Sequence, residues 1–154
     1  MIVKEIKGSI LDAPQLFIAH GVNCQNKMGS GVAKVLFENH PKIKTQYHEF
    51  CDYVTKEYSS TELLGMADPV ICETKIIFNC FTQFKYGYDG SLYLNYEALE
   101  ECLSEVVERM RYIGGKELAI PKIGCGLAGG DWEKVKKIIN EQTSDIIDVY
   151  VYYL

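Results

Sequence analysis

IPKIGCGLAGGDW, residues 120–132, is the stretch on which the reading of this chain turns. Leu118–Ile120 forms a short buried strand opening into it, and Val135, Ile138 and Ile139 beyond it recur at helical spacing. It is thus a glycine loop joining a strand to a helix, the junction at which open α/β sheets bind their ligands. Glycine lets backbone N–H groups approach a ligand closely, and a helix N-terminus adds unpaired donors and a partial positive charge. Such a loop suits phosphate oxygens, although a glycine cluster in this position also serves simply as a turn.

A second loop of the same kind lies upstream. NCQNKMGSG, residues 23–31, follows the nearly continuous apolar run Leu16–Val22, a strand buried on both faces, and precedes a short helix marked by Val32, Val35 and Leu36. Neither loop contains the GxxxxGK[ST] pattern of a P-loop. Two such loops in one domain suggest a diphosphate held between them.

The other segments alternate in the same manner. Ile2–Ile6 is β-like, and Ile43, Tyr47, Phe50, Cys51 and Val54 recur on a second helix beyond Pro41. Asp68–Cys72 and Ile76–Phe81 read as two strands joined by a tight turn at Glu73–Lys75. Ala98, Leu99, Cys102, Leu103, Val106, Val107 and Met110 form the buried stripe of the longest helix, which stops at Gly114-Gly115. Ile146–Tyr153 is a final strand. The expectation is a single α/β domain over residues 1–154, with helices on both sides of a mostly parallel sheet and one antiparallel hairpin.

Composition narrows the function classes. With 154 residues the chain buries roughly two-thirds of its unfolded surface without needing a disulfide or metal. Its 16 basic and 21 acidic residues give a net charge of −5, which argues against a broad nucleic-acid-binding face. No run of about 18 apolar residues is present, and MIVKEIKGSI at the start has no apolar core of a signal peptide, so a cytoplasmic location away from membranes is expected. The six cysteines are scattered without CxxC or Cys/His pairing, and no metal or cofactor is expected. Cys51, Cys72, Cys80 and Cys102 fall in apolar patterns and read as core.

VNCQN at 22–26 followed by MGSGVA at 28–33 resembles the VNAAN…GGGVA signature of macro domains, and IPKIGCGLAGGDW resembles their second phosphate loop. IxHxVN at 18–23, FTQ at 81–83, NYEAL at 95–99 and the YVYYL ending are similar to the branch containing ADP-ribose-1''-phosphate phosphatases and terminal ADP-ribose glycohydrolases. The likeness runs in order over essentially the whole chain. It implies a three-layer α/β/α fold around a six-stranded mixed sheet, with a cleft for ADP-ribose or its 1''-phosphate. The activity implied is release of phosphate from ADP-ribose 1''-phosphate. Alternatives are removal of ADP-ribose from a modified macromolecule, a module that only binds ADP-ribose, or a nucleotide-binding protein of another substrate class.

The resemblance also implies site residues. Asn26 matches an asparagine that contacts the distal ribose. Gly29, Ser30, Gly31 and Val32 match the first phosphate loop, and Gly124, Cys125, Gly126, Leu127, Ala128 and Gly129 the second, with Gly21 and Asn23 beside them. Ser9 and Ile10 fall at the adenine end, where Ser9 replaces the aspartate of the family's GDI motif. Tyr152 falls where an aromatic packs near adenine, although Tyr150, two residues away on the same strand face, fits equally. Ala128 stands where the glycohydrolases of this branch have an aspartate after GCGL.

Besides Asn26, four side chains are catalytic candidates. His20 matches a phosphatase-branch histidine and titrates near pH 6.5 when unperturbed, but it also reads as a core-edge histidine. Lys85 falls near the nucleophilic lysine of the glycohydrolases, and otherwise reads as a solvated loop residue. Asp131 reads as a helix N-cap first and a carboxylate catalyst second. Cys125, flanked by glycines, is either a low-pKa thiol or a small residue in a crowded loop. His40 and His48 read as surface residues on helices.

Overall fold

A computed structural model describes residues 1–154. Six strands, β1 (Ile2–Lys7), β2 (Phe17–Asn23), β3 (Ala67–Ile71), β4 (Ile76–Gln83), β5 (Glu117–Ile120) and β6 (Asp148–Tyr153), form one sheet in the order β1-β6-β5-β2-β4-β3. Every neighbouring pair is parallel except β3 with β4, as the hairpin spacing predicts. At the turn between them the Cys72 N–H donates to the Lys75 carbonyl at 2.8 Å. β3 is an edge strand with Pro69 in its middle, opposite Phe78.

Helices α1 (Gly31–Asn39), α2 (Lys42–Thr55), α3 (Tyr96–Tyr112) and α4 (Trp132–Thr143) cover the sheet. α3 and α4 bury their stripes against one face, together with Phe17, Phe78 and Leu118; α1 and α2 cover the other, with Ile18, Ile77 and Phe81. All seven residues of the expected α3 stripe are buried. That face alone removes enough apolar surface to stabilise the helix at roughly 1.5–3 kcal/mol per large side chain. The chain leaves α3 through Gly114, whose φ of +79° suits glycine, and the Gly115 N–H closes the end on the Met110 carbonyl at 2.7 Å.

α1 departs from its expected packing. Only Leu36 is buried, whereas Val32 and Val35 are 38% and 37% exposed and face an open cleft. Helical spacing identifies a shared face but not what lies opposite it, and here part of that face is a cleft wall. Cys72 is half-buried at the end of the hairpin rather than in the core, and His40 follows α1 as its C-cap.

The parallel arrangement places the carboxyl ends of β1, β2, β5 and β6 along one margin. Both glycine loops therefore emerge side by side.

Candidate active site

That margin holds a cleft of about 850 Å³, within the roughly 300–1,000 Å³ range of small-molecule sites. Its walls are Gly8–Ile10 after β1, the loop after β2 with the start of α1, Tyr86–Tyr88 after β4, Pro121–Ala128 after β5, and Tyr152 and Tyr153 on β6. Another depression, of about 860 Å³, lies between β3, β4 and α3. It contains no glycine, and Glu100, Glu101, Glu105 and Glu108 on its rim disfavour an anionic ligand.

The two loops present unpaired donors. At the start of α1 the amides of Gly31, Val32 and Ala33 have no hydrogen-bond partner, and Ser30 does not cap the helix with its side chain. Its hydroxyl instead accepts from Tyr88 OH at 3.2 Å across the cleft mouth. In the second loop the amides of Gly126, Leu127 and Ala128 are likewise unpaired, while the Cys125 N–H donates to the Lys122 carbonyl and the Gly130 N–H to the Gly124 carbonyl. The conformation depends on glycine at Gly124, where φ is +73° and a Cβ would lie 2.7 Å from Leu94. Gly124, Gly126 and Gly129 have G-x-G-x-x-G spacing, but α4 begins only at Trp132, so the third glycine does not sit in the helix as in a dinucleotide fingerprint. Six amides on facing walls form a cradle for phosphate oxygens.

At the adenine end expected from the sequence, Tyr152 lines the cleft and donates its hydroxyl to Gln15 Oε1 at 3.0 Å. Tyr150 is not part of the wall, and the choice between them falls to Tyr152. Ser9 and Ile10 line the same end. Ser9 Oγ already accepts from the Leu11 N–H at 3.2 Å, which caps the short 3-10 helix Ile10–Asp12. Gly21 also lines the cleft, and a Cβ there would lie 2.7 Å from Thr82 Oγ1.

The catalytic candidates separate. Asn26 lines the cleft at the left-handed φ of +59°, a conformation asparagine tolerates. His20 does not reach it. Because β2 is buried on both faces, the ring is fully enclosed, its Nε2 lies 2.6 Å from Asn79 Oδ1, and burial lowers its pKa to about 4. Lys85 is exposed outside the wall, with its carbonyl accepting from Gln83 Nε2 at 2.8 Å. Asp131 accepts from the Glu133 N–H at 3.0 Å as the N-cap of α4 and lies outside the lining. Gly129 is also outside, packed where a Cβ would lie 2.5 Å from the Ser91 carbonyl oxygen. Cys125 lines the cleft, but burial, reinforced by Asp131, pushes its thiol up to about 11. Its small size fits the loop; a low thiol pKa does not. Asn23 lines the cleft while serving the loop itself: Oδ1 accepts from the Gln25 N–H and Tyr47 OH, and Nδ2 donates to the Lys27 carbonyl.

His48 is the residue the sequence placed elsewhere. It is half-buried on α2, lines the cleft, and its Nδ1 lies 2.6 Å from Asn26 Oδ1. The surface expectation fails because α2 packs directly beneath the first loop, through Tyr47 OH to the Asn23 carbonyl at 2.8 Å. Tyr86 and Tyr88 at the mouth were also unmarked in the sequence; two tyrosines in the glycine-bearing segment after FTQ were the available signal.

A mixed sheet with this strand order, and two glycine loops at its carboxyl margin, define an α/β domain whose cleft carries unpaired amides suited to phosphate oxygens. The chain belongs to the macro domain family, whose model matches residues 19–139. An uncharacterized 17.5 kDa protein of Enterobacteria phage T4 is 35% identical, with 98% of this chain and 96% of that protein covered. An ADP-ribose 1''-phosphate phosphatase of Lodderomyces elongisporus is 26% identical over 98% of this chain and 99% of its own length. A DNA ADP-ribosyl glycohydrolase of Thermus aquaticus is 25% identical over 96% of this chain but only 40% of its own length. A protein of unknown function from Bacteroides thetaiotaomicron superposes with a TM-score of 0.86 at 27% identity, covering 99% of both chains. The three-layer α/β/α fold expected from the sequence is thus the observed one. No helix is long and apolar enough to cross a membrane.

Proposed function

We propose that this chain hydrolyses ADP-ribose 1''-phosphate to ADP-ribose and inorganic phosphate. The observation that carries the reading is the pair of opposed amide cradles at Gly31–Ala33 and Gly126–Ala128. They match the charge of a diphosphate without requiring arginine or lysine, which reconciles a phosphate ligand with a net charge of −5. Asn26 meets the distal ribose, Tyr152 and Ile10 flank the adenine, and Ser9 takes the place of the usual aspartate there. Water supplies the oxygen that ends on phosphate, and the 1'' oxygen leaves with the ribose. The amides hold the ligand so that binding is spent on orientation.

Removal of ADP-ribose from a modified macromolecule is the second reading. It is weakened by Lys85 lying outside the cleft and by Ala128 in place of an aspartate. All six cysteines are free, which suits a reducing compartment, and a cytoplasmic location belongs to the same proposal.

Purified protein given ADP-ribose 1''-phosphate should release phosphate, and Asn26→Ala should abolish most of that release. Binding of ADP-ribose by calorimetry without turnover on phosphate or ADP-ribosyl substrates would make the chain a binding module instead. Preference for a nucleotide without the distal ribose would overturn the ligand assignment.

A further inference from the structure

Asn26 is held from below by two side chains of α2. Its Nδ2 donates to Asp52 Oδ1 at 3.1 Å, and its Oδ1 lies 2.6 Å from His48 Nδ1. An ionised carboxylate only accepts, so the Asn26 atom facing Asp52 must be the NH₂ group. The atom facing His48 is therefore the carbonyl oxygen, and it accepts only if His48 Nδ1 carries a proton. A neutral His48 is then protonated at Nδ1 and bare at Nε2. Nε2 makes no hydrogen bond within the chain, and the ring borders the cleft. The ring also makes an edge contact with the Tyr47 ring, centroids 5.2 Å apart.

From this geometry we infer that His48 is a positioning residue of the site: with Asp52 it locks the Asn26 amide and so presents that amide to the ligand's distal ribose. An asparagine amide offers two N–H donors and two carbonyl lone pairs. His48 and Asp52 occupy one of each, leaving one donor and one acceptor pointed by a rigid framework toward a sugar hydroxyl. A free amide rotates about its last torsion and loses that orientation on every turn. The bare Nε2 of His48 adds an acceptor for a second hydroxyl on the same side of the cleft. The ligand part of this inference rests on the ADP-ribose reading above, whereas the proton position on His48 stands apart from it.

Long-range ¹H–¹⁵N correlation on the ¹⁵N-labelled full chain reads the proton position directly. His48, identified by comparison with His48→Asn, should show the Nδ1–H form, and Asp52→Ala should shift it toward the Nε2–H form that free histidine favours. An Nε2–H His48 in the wild-type chain would overturn the inference whether or not ADP-ribose binds. In calorimetry with ADP-ribose, His48→Ala should weaken binding about tenfold, the loss of one oriented hydrogen bond. His48→Asn, whose amide N–H stands where Nδ1–H stood, should recover most of that loss. Equal weakening in both variants, with both folded by circular dichroism, would show that the donor to Asn26 is not what matters. If wild-type protein fails to bind ADP-ribose, the proposed function falls while the NMR result still decides the His48 proton.

Discussion

His20 Nε2 and Asn79 Oδ1 lie 2.6 Å apart, with both residues fully buried between sheet and helix. Asn79 also donates from Nδ2 to the Ile43 carbonyl at 3.2 Å, so its oxygen faces His20 and the proton of the ring sits on Nε2. Nδ1 is buried without a partner. Charging the ring would place a second proton where nothing accepts it, and this is why burial outweighs the Asn79 bond in lowering the pKa to about 4.

Acid should therefore destabilise the chain through His20. In the unfolded chain the group takes up its proton as pH falls through about 6.5, whereas the folded chain resists until about 4. Stability is greatest above pH 6.5 and declines across the window down to 4, by an amount on the order of 3 kcal/mol for this one group. Urea unfolding at half-unit pH steps measures the slope, and His20→Gln should flatten it in that window relative to wild type.

Gly124→Ala should damage both fold and site. The substitution forces a Cβ into a φ of +73° and against Leu94, and it shifts the turn that aims the amides of residues 126–128. A loss of roughly 1–3 kcal/mol in chemical denaturation is expected, together with weaker ADP-ribose binding by calorimetry. Gly126→Ala is the control for stability alone, because nothing in the chain lies within 4 Å of its added Cβ.

Cys125 should be a sluggish thiol despite its place in the cleft. With its pKa pushed up to about 11, only roughly one thiol in ten thousand is ionised at pH 7. Iodoacetamide labelling followed by intact-mass measurement should be slow at neutral pH and accelerate steeply toward pH 10. Rapid modification at pH 7 would contradict the burial described here.

Tyr47→Phe should loosen the first loop without emptying the core. The ring stays stacked on Phe81, centroids 5.7 Å apart, but the hydroxyl that donates to Asn23 and accepts from the Lys27 N–H is removed. About 1–3 kcal/mol of stability should be lost, since the partners it leaves are part-buried. Hydrogen exchange should show the loss concentrated in residues 23–31.

What the sequence revealed and what it withheld divide along a physical line. The α3 stripe, the hairpin at Glu73–Lys75 and both glycine loops rest on periodicity and turn chemistry, which are local, and the structure reproduces them. His20 was ambiguous because alternation carries no direction in a strand buried on both faces. The place of His48 is not legible in the sequence because its contact with Asn26 spans 22 residues and depends on how α2 seats under a loop, which no spacing rule encodes. Lys85 and Asp131 sit within a few residues of cleft walls, yet solvent and a helix cap claim them.

Pro69, in the middle of the outermost strand, has one more effect. It presents no N–H to an incoming strand, and at the opposite border β1 offers Lys4, Glu5 and Lys7. Both borders of the sheet are thus poor templates for another chain, one for want of a donor and the other through charge. Edge-to-edge growth of the sheet into fibrils is thereby disfavoured at both of its borders.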